Sequence, residues 1–281
     1  VADEKGAPVP DAEDMNRLLT LSFLTAAMLV PASVATAASA PGTPVRAANA
    51  KIVEHTAVAG GAVGSVAGVV AISTFSENCT GAVIAPRVVL TAAHCLSDVL
   101  DKATIRVRLD HTHQNLGVSA YYTAPGYDST THYDDAAVLI LKSPSKEPAL
   151  KLVSSEPSAG TGAMITGYGQ QTYTSAVSAV AYHASTTIQS FASCQQSWAG
   201  FGTAVPESDI CAQNSSGENT VTRGDSGGPL LVKSQTGKWR VAGINDLVVI
   251  PNDAYNGAIP QAFGRVNTIR PWLESEIARF G

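Results

Sequence analysis

The chain has 281 residues, 45% of them hydrophobic and only 15% charged, a composition that supports a sizeable packed core and excludes an intrinsically disordered protein. A formal net charge of -5, with no Lys or Arg run interleaved with aromatics, argues against nucleic acid as a partner. With 24 glycines and 15 prolines among many Ser and Thr, the chain favours short strands and turns over long amphipathic helices, so an all-β body is expected.

In chain order, residues 1–14 are polar and acidic and fit neither a leader nor a packed element; an upstream start assignment or added residues would account for them. Met15-Asn16-Arg17 opens a signal-peptide pattern over residues 15–37: the apolar stretch Leu18 to Val30, then small residues ending at Ala35-Thr36-Ala37. Cleavage after Ala37 is preferred to cleavage after Ala40, where Pro41 would follow the cut. The apolar stretch is 13 residues, short of the roughly 20 that span a bilayer. A secreted, monomeric protein that leaves the membrane with its leader is expected, and export makes oxidised cysteines plausible.

Beyond the Pro/Ala segment of residues 38–51, β-branched and apolar runs recur between turn signals. Strands are predicted at Val66 to Ile72, Val83 to Leu90, Thr104 to Leu109, Val138 to Leu141, Ala163 to Thr166, Leu230 to Val232 and Trp239 to Ile244, without the long helices of a parallel α/β sheet. Thr268 to Phe280 differs. Its Ile269, Trp272, Leu273, Glu276 and Ile277 follow helical spacing with only Glu276 not apolar, and predict a C-terminal helix. Cys79, Cys95, Cys194 and Cys211 form no CxxC pair, so disulfides are the better reading, with three pairings open. His111 and His113 read as solvent-facing, and neither a metal nor a cofactor is expected.

Three segments carry chemistry. Arg223-Gly224-Asp225-Ser226-Gly227-Gly228-Pro229 is a turn-rich loop that can aim the Gly224 and Ser226 amides at an oxyanion forming on attack by Ser226. Thr91-Ala92-Ala93-His94-Cys95 follows an apolar strand and fixes an imidazole beside a cysteine, as a general base requires. Tyr133-Asp134-Asp135 leads into the apolar run Ala136 to Leu141, where a carboxylate can be buried to orient that imidazole. Gly224-Asp225-Ser226-Gly227-Gly228 also fits the Gly-x-Ser-x-Gly elbow of α/β-hydrolases, but no His follows Ser226, which excludes that order.

These motifs, in the order His, Asp, Ser, resemble the chymotrypsin and trypsin family of serine proteases over roughly Ile52 to Gly281. The resemblance implies two six-stranded antiparallel β-barrels with a C-terminal helix, and a cofactor-free endopeptidase acting on protein or peptide substrates through His94, Asp135 and Ser226. Asp135 is chosen over Asp134 because Val138 and Leu139 then stand at the third and fourth positions after the acid, as in the family. Ile165-Thr166-Gly167-Tyr168-Gly169 resembles the family's Gly-aromatic-Gly turn. The resemblance pairs Cys79 with Cys95 and Cys194 with Cys211. It further implies that residues 38–51 form a propeptide removed by an activating protease, freeing Ile52 to pair with Asp225, with Val58 as a second candidate start.

The wall of the specificity pocket departs from the family. Thr220 stands where a trypsin-like enzyme has an acid, Thr222 where many relatives have a cysteine, and Gln261 where a pocket glycine is usual. Small or polar side chains are expected before the cut. Asn245-Asp246-Leu247 replaces the segment that usually ends in a Ser-Trp-Gly substrate edge, and Asp246 either raises the cost of ionising Asp135 or turns to solvent. A non-catalytic secreted binding protein on the same scaffold is the competing reading.

Overall fold

The computed structural model describes residues 61–281, apart from positions 215, 218, 249 and 251–254. The expected leader, the propeptide, Ile52 and Val58 lie outside the described residues. A short strand β1 (Ala62–Val63) precedes a closed antiparallel barrel of six strands: β2 (Val69–Ser73), β3 (Asn78–Ala85), β4 (Val88–Thr91), β5 (Arg106–Leu109), β6 (Gln114–Thr123) and β7 (Ala137–Leu141). The strands close in the order β2-β3-β4-β7-β6-β5. The run predicted as one strand from Val83 to Leu90 is two strands. Pro86 and Arg87 turn the chain back so that Val83 pairs with Val89 and Ala85 with Val88, because Pro86 brings no N–H to a ladder.

A two-residue strand β8 (Lys151–Leu152) leads to the second barrel, formed by β9 (Gly162–Gly167), β10 (Tyr182–Ile188), β11 (Asp209–Gln213), β12 (Pro229–Lys233), β13 (Trp239–Leu247) and β14 (Gln261–Arg265). It runs β10-β11-β14-β13-β12-β9 and closes through antiparallel pairing of β9 with β10, while β1 pairs with β10 and β8 lies parallel to β13. A helix, α1 (Phe191–Ala199), joins β10 to β11; Ser190 caps it by accepting from the Ser193 N–H, and its buried Cys194 and Trp198 anchor it. Cys194 is bonded to Cys211 on β11.

Each barrel fills with its own apolar residues: Val70, Val83, Val89, Leu109 and Leu139 in the first, Ile165, Leu230, Val241 and Phe263 in the second. Burying each such side chain contributes about 1.5–3 kcal/mol, an upper bound because unfolded chains are partly collapsed. The terminal helix α2 (Val266–Phe280) leaves the second barrel and buries Ile269 and Leu273. Its Phe280 stacks on Tyr122 of β6 with ring centroids 5.5 Å apart, so the chain's last turn ties the second barrel back to the first. Among the described residues, no helix is long and apolar enough to cross a membrane.

Candidate active site

The junction of the barrels is organised by a buried threonine on β3. Thr80 Oγ1 donates to the Gly224 carbonyl at 2.9 Å and accepts from the Tyr168 N–H at 3.1 Å, while the Thr80 N–H donates to the Ser226 carbonyl at 2.8 Å. One residue of the first barrel thus holds the Gly224–Gly228 loop of the second at two carbonyls. Gly227, at φ +78°, lets that loop close on β4: a Cβ there would lie 2.5 Å from the Thr80 carbonyl oxygen and 2.7 Å from the Ala92 nitrogen. Ser226 is therefore pressed against the segment that carries the histidine, and Cys95 Sγ lies 3.7 Å from its carbonyl oxygen.

His94 opens a short 3-10 turn, His94–Leu96, directly after β4, and the Cys79–Cys95 disulfide fastens that turn to β3. Asp135 lies fully buried two residues before β7, which pairs with β4, so the ladder between the two strands sets the spacing of His94 and Asp135. Both carboxylate oxygens are used. Oδ1 accepts from the His94 backbone N–H at 2.8 Å, and Oδ2 accepts from Nδ1 at 2.5 Å. This fixes ring orientation and leaves Nε2 on the quarter-exposed face of the imidazole. Asp134 does not share the site: it is partly exposed, at φ +50°, and its N–H donates to Ser208 Oγ.

Burial pushes the Asp135 carboxyl up, but His132, 3.9 Å away, and the hydrogen bond and charge of His94 hold it below the usual carboxylate range. His132 escaped the sequence reading. It sits in the loop before Asp135 at φ +58°, its ring centroid is 5.7 Å from that of His94, and its Nδ1 donates to Asp246 Oδ1 at 2.8 Å. Asp135, 3.9 Å away, and Asp246, at hydrogen-bond distance, together raise His132 to about 10. A His three residues before a buried acid was the available signal. Asp246 does not turn to solvent: it is 6% exposed, and Oδ1 lies 4.0 Å from His94 Nδ1.

Ligand atoms of His94, His132, Asp135 and Asp246 all lie within 4.8 Å of one another. Each imidazole Nδ1 is committed as a donor to a carboxylate, so the group is held together by hydrogen bonds rather than built around an ion. Cys79 and Cys95, which also neighbour His94, are joined to each other and offer no thiolate. His111, set aside from metal binding in the sequence, lies next to Ser65, with Nε2 2.9 Å from the hydroxyl and 3.1 Å from the carbonyl oxygen.

Asp225 lies next to Ser226 and is closed from solvent. It accepts from the Gly169 N–H at 2.7 Å, the Thr222 N–H at 2.9 Å and Thr222 Oγ1 at 2.9 Å. Burial nevertheless raises its carboxyl to about 6. Thr222, noted in the sequence only for the absence of a cysteine, thus clamps the turn from both its main chain and its side chain. Gly224, at φ +95°, completes that turn, and among the described residues neither the Gly224 nor the Ser226 N–H donates to a protein acceptor. A cavity of about 340 Å³ opens beside Gly224, lined by Cys79, Arg106, Arg108, Tyr168 and Val177 among others.

Thr220 and Gln261 are both buried. Gln261 Nε2 donates to the Ile259 carbonyl at 2.5 Å, whereas its Oε1 is buried and, among the described residues, without a donor.

A family model described as Trypsin matches residues 52–273. Trypsin delta of Drosophila erecta is 32% identical over 166 residues, which is 56% of this chain and 64% of the relative. Trypsin alpha of Drosophila melanogaster is 31% identical over the same shares, so the chain spans less than two thirds of the length of these two relatives. Trypsin alpha-4 of Lucilia cuprina is 28% identical over 212 residues, 71% of this chain and 78% of the relative.

Proposed function

The chain belongs to the trypsin family, and on that premise we propose that it is a secreted serine endopeptidase with Ser226 as nucleophile, His94 as general base and Asp135 as the acid that orients it. The observation that carries this reading is the fully buried Asp135, bonded through both oxygens to the ring and main chain of His94, beside a loop that presents a partly exposed Ser226. His94 takes the Ser226 proton as Oγ attacks the scissile carbonyl and gives it to the leaving amine; Asp135 stabilises the imidazolium without becoming protonated. The Gly224 and Ser226 amides, free of protein acceptors, meet the oxyanion, and water then releases the acyl group from Ser226.

Asp225 supports a role for a freed N-terminus. A carboxyl raised by burial gains from a cation, and an α-ammonium at Ile52 would supply one while fixing the turn that carries both oxyanion amides. Cleavage specificity centres on Thr220 and Gln261. The buried, donor-less Gln261 Oε1 favours a small or polar side chain able to donate to it and disfavours a large aromatic one. Incubating the mature protein with a diverse peptide library tests both claims: cuts after small or polar residues are expected, with none by Ser226→Ala. Cutting by Ser226→Ala would remove the mechanism, and cuts only after large aromatic or basic residues would remove the pocket assignment.

A further inference from the structure

Behind the His94–Asp135 pair lie two more buried carboxyls that the mechanism does not use, Asp246 on β13 and Asp209 on β11. Asp209 is fully buried and Asp246 nearly so, and the strands that carry them flank β14, where Asp209 and Ile244 both pair with Gly264; each carboxyl acts on the ionisation of the other. Their outer oxygens are accounted for: His132 Nδ1 donates to Asp246 Oδ1, and Ser208 Oγ to Asp209 Oδ1 at 3.3 Å. Their inner oxygens are not. Asp209 Oδ2 and Asp246 Oδ2 are both buried and meet no donor among the described residues.

The local charges do not cover three anions. Besides His94, the cations facing the cluster among the described residues are His132 and Arg265, and Arg265 is engaged elsewhere: NH2 donates to the Asp209 backbone carbonyl at 2.6 Å and NH1 pairs with Glu156 at 3.3 Å. Tyr127 also faces the cluster, and burial together with the charges of Asp135 and Asp246 pushes its phenol up, so it adds no cation. Three ionised carboxylates would leave negative charge buried without a partner, which is strongly unfavourable. One proton between two carboxyls removes a charge and satisfies both orphan oxygens at once, the acid donating and the carboxylate accepting a short, charge-assisted bond.

We propose that Asp246 and Asp209 share one proton and act as positioning residues, leaving Asp135 the single ionised carboxylate against His94. Burial raises both groups in the same direction, Asp246 to about 9 and Asp209 to about 7, as a retained proton requires. Were Asp246 ionised, a second negative charge 4.0 Å from His94 Nδ1 would compete with Asp135 for the ring and hold the imidazolium proton that the leaving amine must receive. The kinetic consequence rests on the catalytic reading above; the proton itself does not.

An infrared difference spectrum of wild type minus Asp246→Asn at neutral pH tests the proton directly. The carbonyl stretch of one protonated carboxylic acid is expected in wild type and absent from Asp246→Asn, whose amide donates to Asp209 and accepts from His132. Should that variant not fold, Asp209→Asn gives the same readout. No such band in wild type overturns the proposal. The positioning role is read from kcat against pH: wild type should lose activity about tenfold per pH unit once the shared proton leaves in the alkaline range, and Asp246→Asn should lack that limb. At neutral pH Asp246→Asn should exceed Asp246→Ala by about tenfold in kcat, because the amide keeps both hydrogen bonds. An unchanged alkaline limb in Asp246→Asn overturns the positioning role. A band in a protein that hydrolyses nothing upholds the shared proton and removes the catalytic reading instead.

Discussion

Replacing Thr222 by Val removes one of the three donors to Asp225 while keeping side-chain volume. Thr222 is buried, and its hydroxyl lies 2.9 Å from Asp225 Oδ2, so no water replaces the lost bond without repacking. A hydrogen bond to a charged group contributes about 1.5–3 kcal/mol, which puts the loss near 2 kcal/mol. At an m-value of about 2 kcal/mol/M, the urea midpoint should fall by about 1 M. The measurement is best made in a Ser226→Ala background, to prevent self-digestion, once at neutral pH and once at a pH where Asp225 is protonated. The difference should shrink in acid, because a neutral carboxyl draws less from the hydroxyl, and Thr222→Ser should restore most of it. A shift under about 0.5 kcal/mol at neutral pH, or one of the same size at both pH values, would refute the idea that Thr222 clamps an ionised Asp225.

Asp225 itself gives a pH prediction. Its folded carboxyl is raised from 3.8 to about 6, so the folded state holds the proton more tightly and stability falls as pH rises from about 4 through about 6. Asp225→Asn should flatten that part of the curve in thermal melts of the uncleaved Ser226→Ala chain, where no Ile52 ammonium faces the carboxyl, and an unchanged slope would count against it. Removing the Cys79–Cys95 bridge as Cys79→Ala/Cys95→Ala opens a link of 16 residues and should cost about 3 kcal/mol in urea unfolding. It should also lower kcat, because the turn that carries His94 loses its tie to β3; full activity in the reduced variant would separate the bridge from the base. Gly227→Ala meets backbone atoms of Thr80 and Ala92 and an unfavourable φ, so either no folded protein or loss of Ser226 reactivity is expected, and a fully active variant would contradict the packing described.

Strands with β-branched runs were legible because their side chains face one core: β7 and β12 lie inside the predicted segments or within a residue or two of them. β10 and β14 were not legible. Tyr182–Ile188 and Gln261–Arg265 carry small and polar residues, and their place in the barrel comes from ladders to strands far along the chain. The helix α1 hid for a similar reason, since it buries only Cys194 and Trp198 and needs no long apolar stripe. At the site, the three motifs each announced a residue type in a local setting. Thr80, His132, Asp209 and the second role of Thr222 depend on partners brought together only by barrel closure, such as His132 and Asp246 at 114 residues' separation. Asp246 was visible as a carboxylate out of place, but whether it faced solvent depended on a histidine 114 residues away, brought to it only by barrel closure.

The central claim is that Ser226 is a nucleophile activated by His94 and Asp135. Treating the purified protein with a fluorophosphonate and locating the adduct by mass spectrometry tests it most directly, since the same spectrum reports the N-terminus. The account predicts a single adduct on Ser226, lost in His94→Ala, in a chain beginning at Ile52. A correctly processed chain that takes no label would contradict it and favour a binding protein built on the protease scaffold.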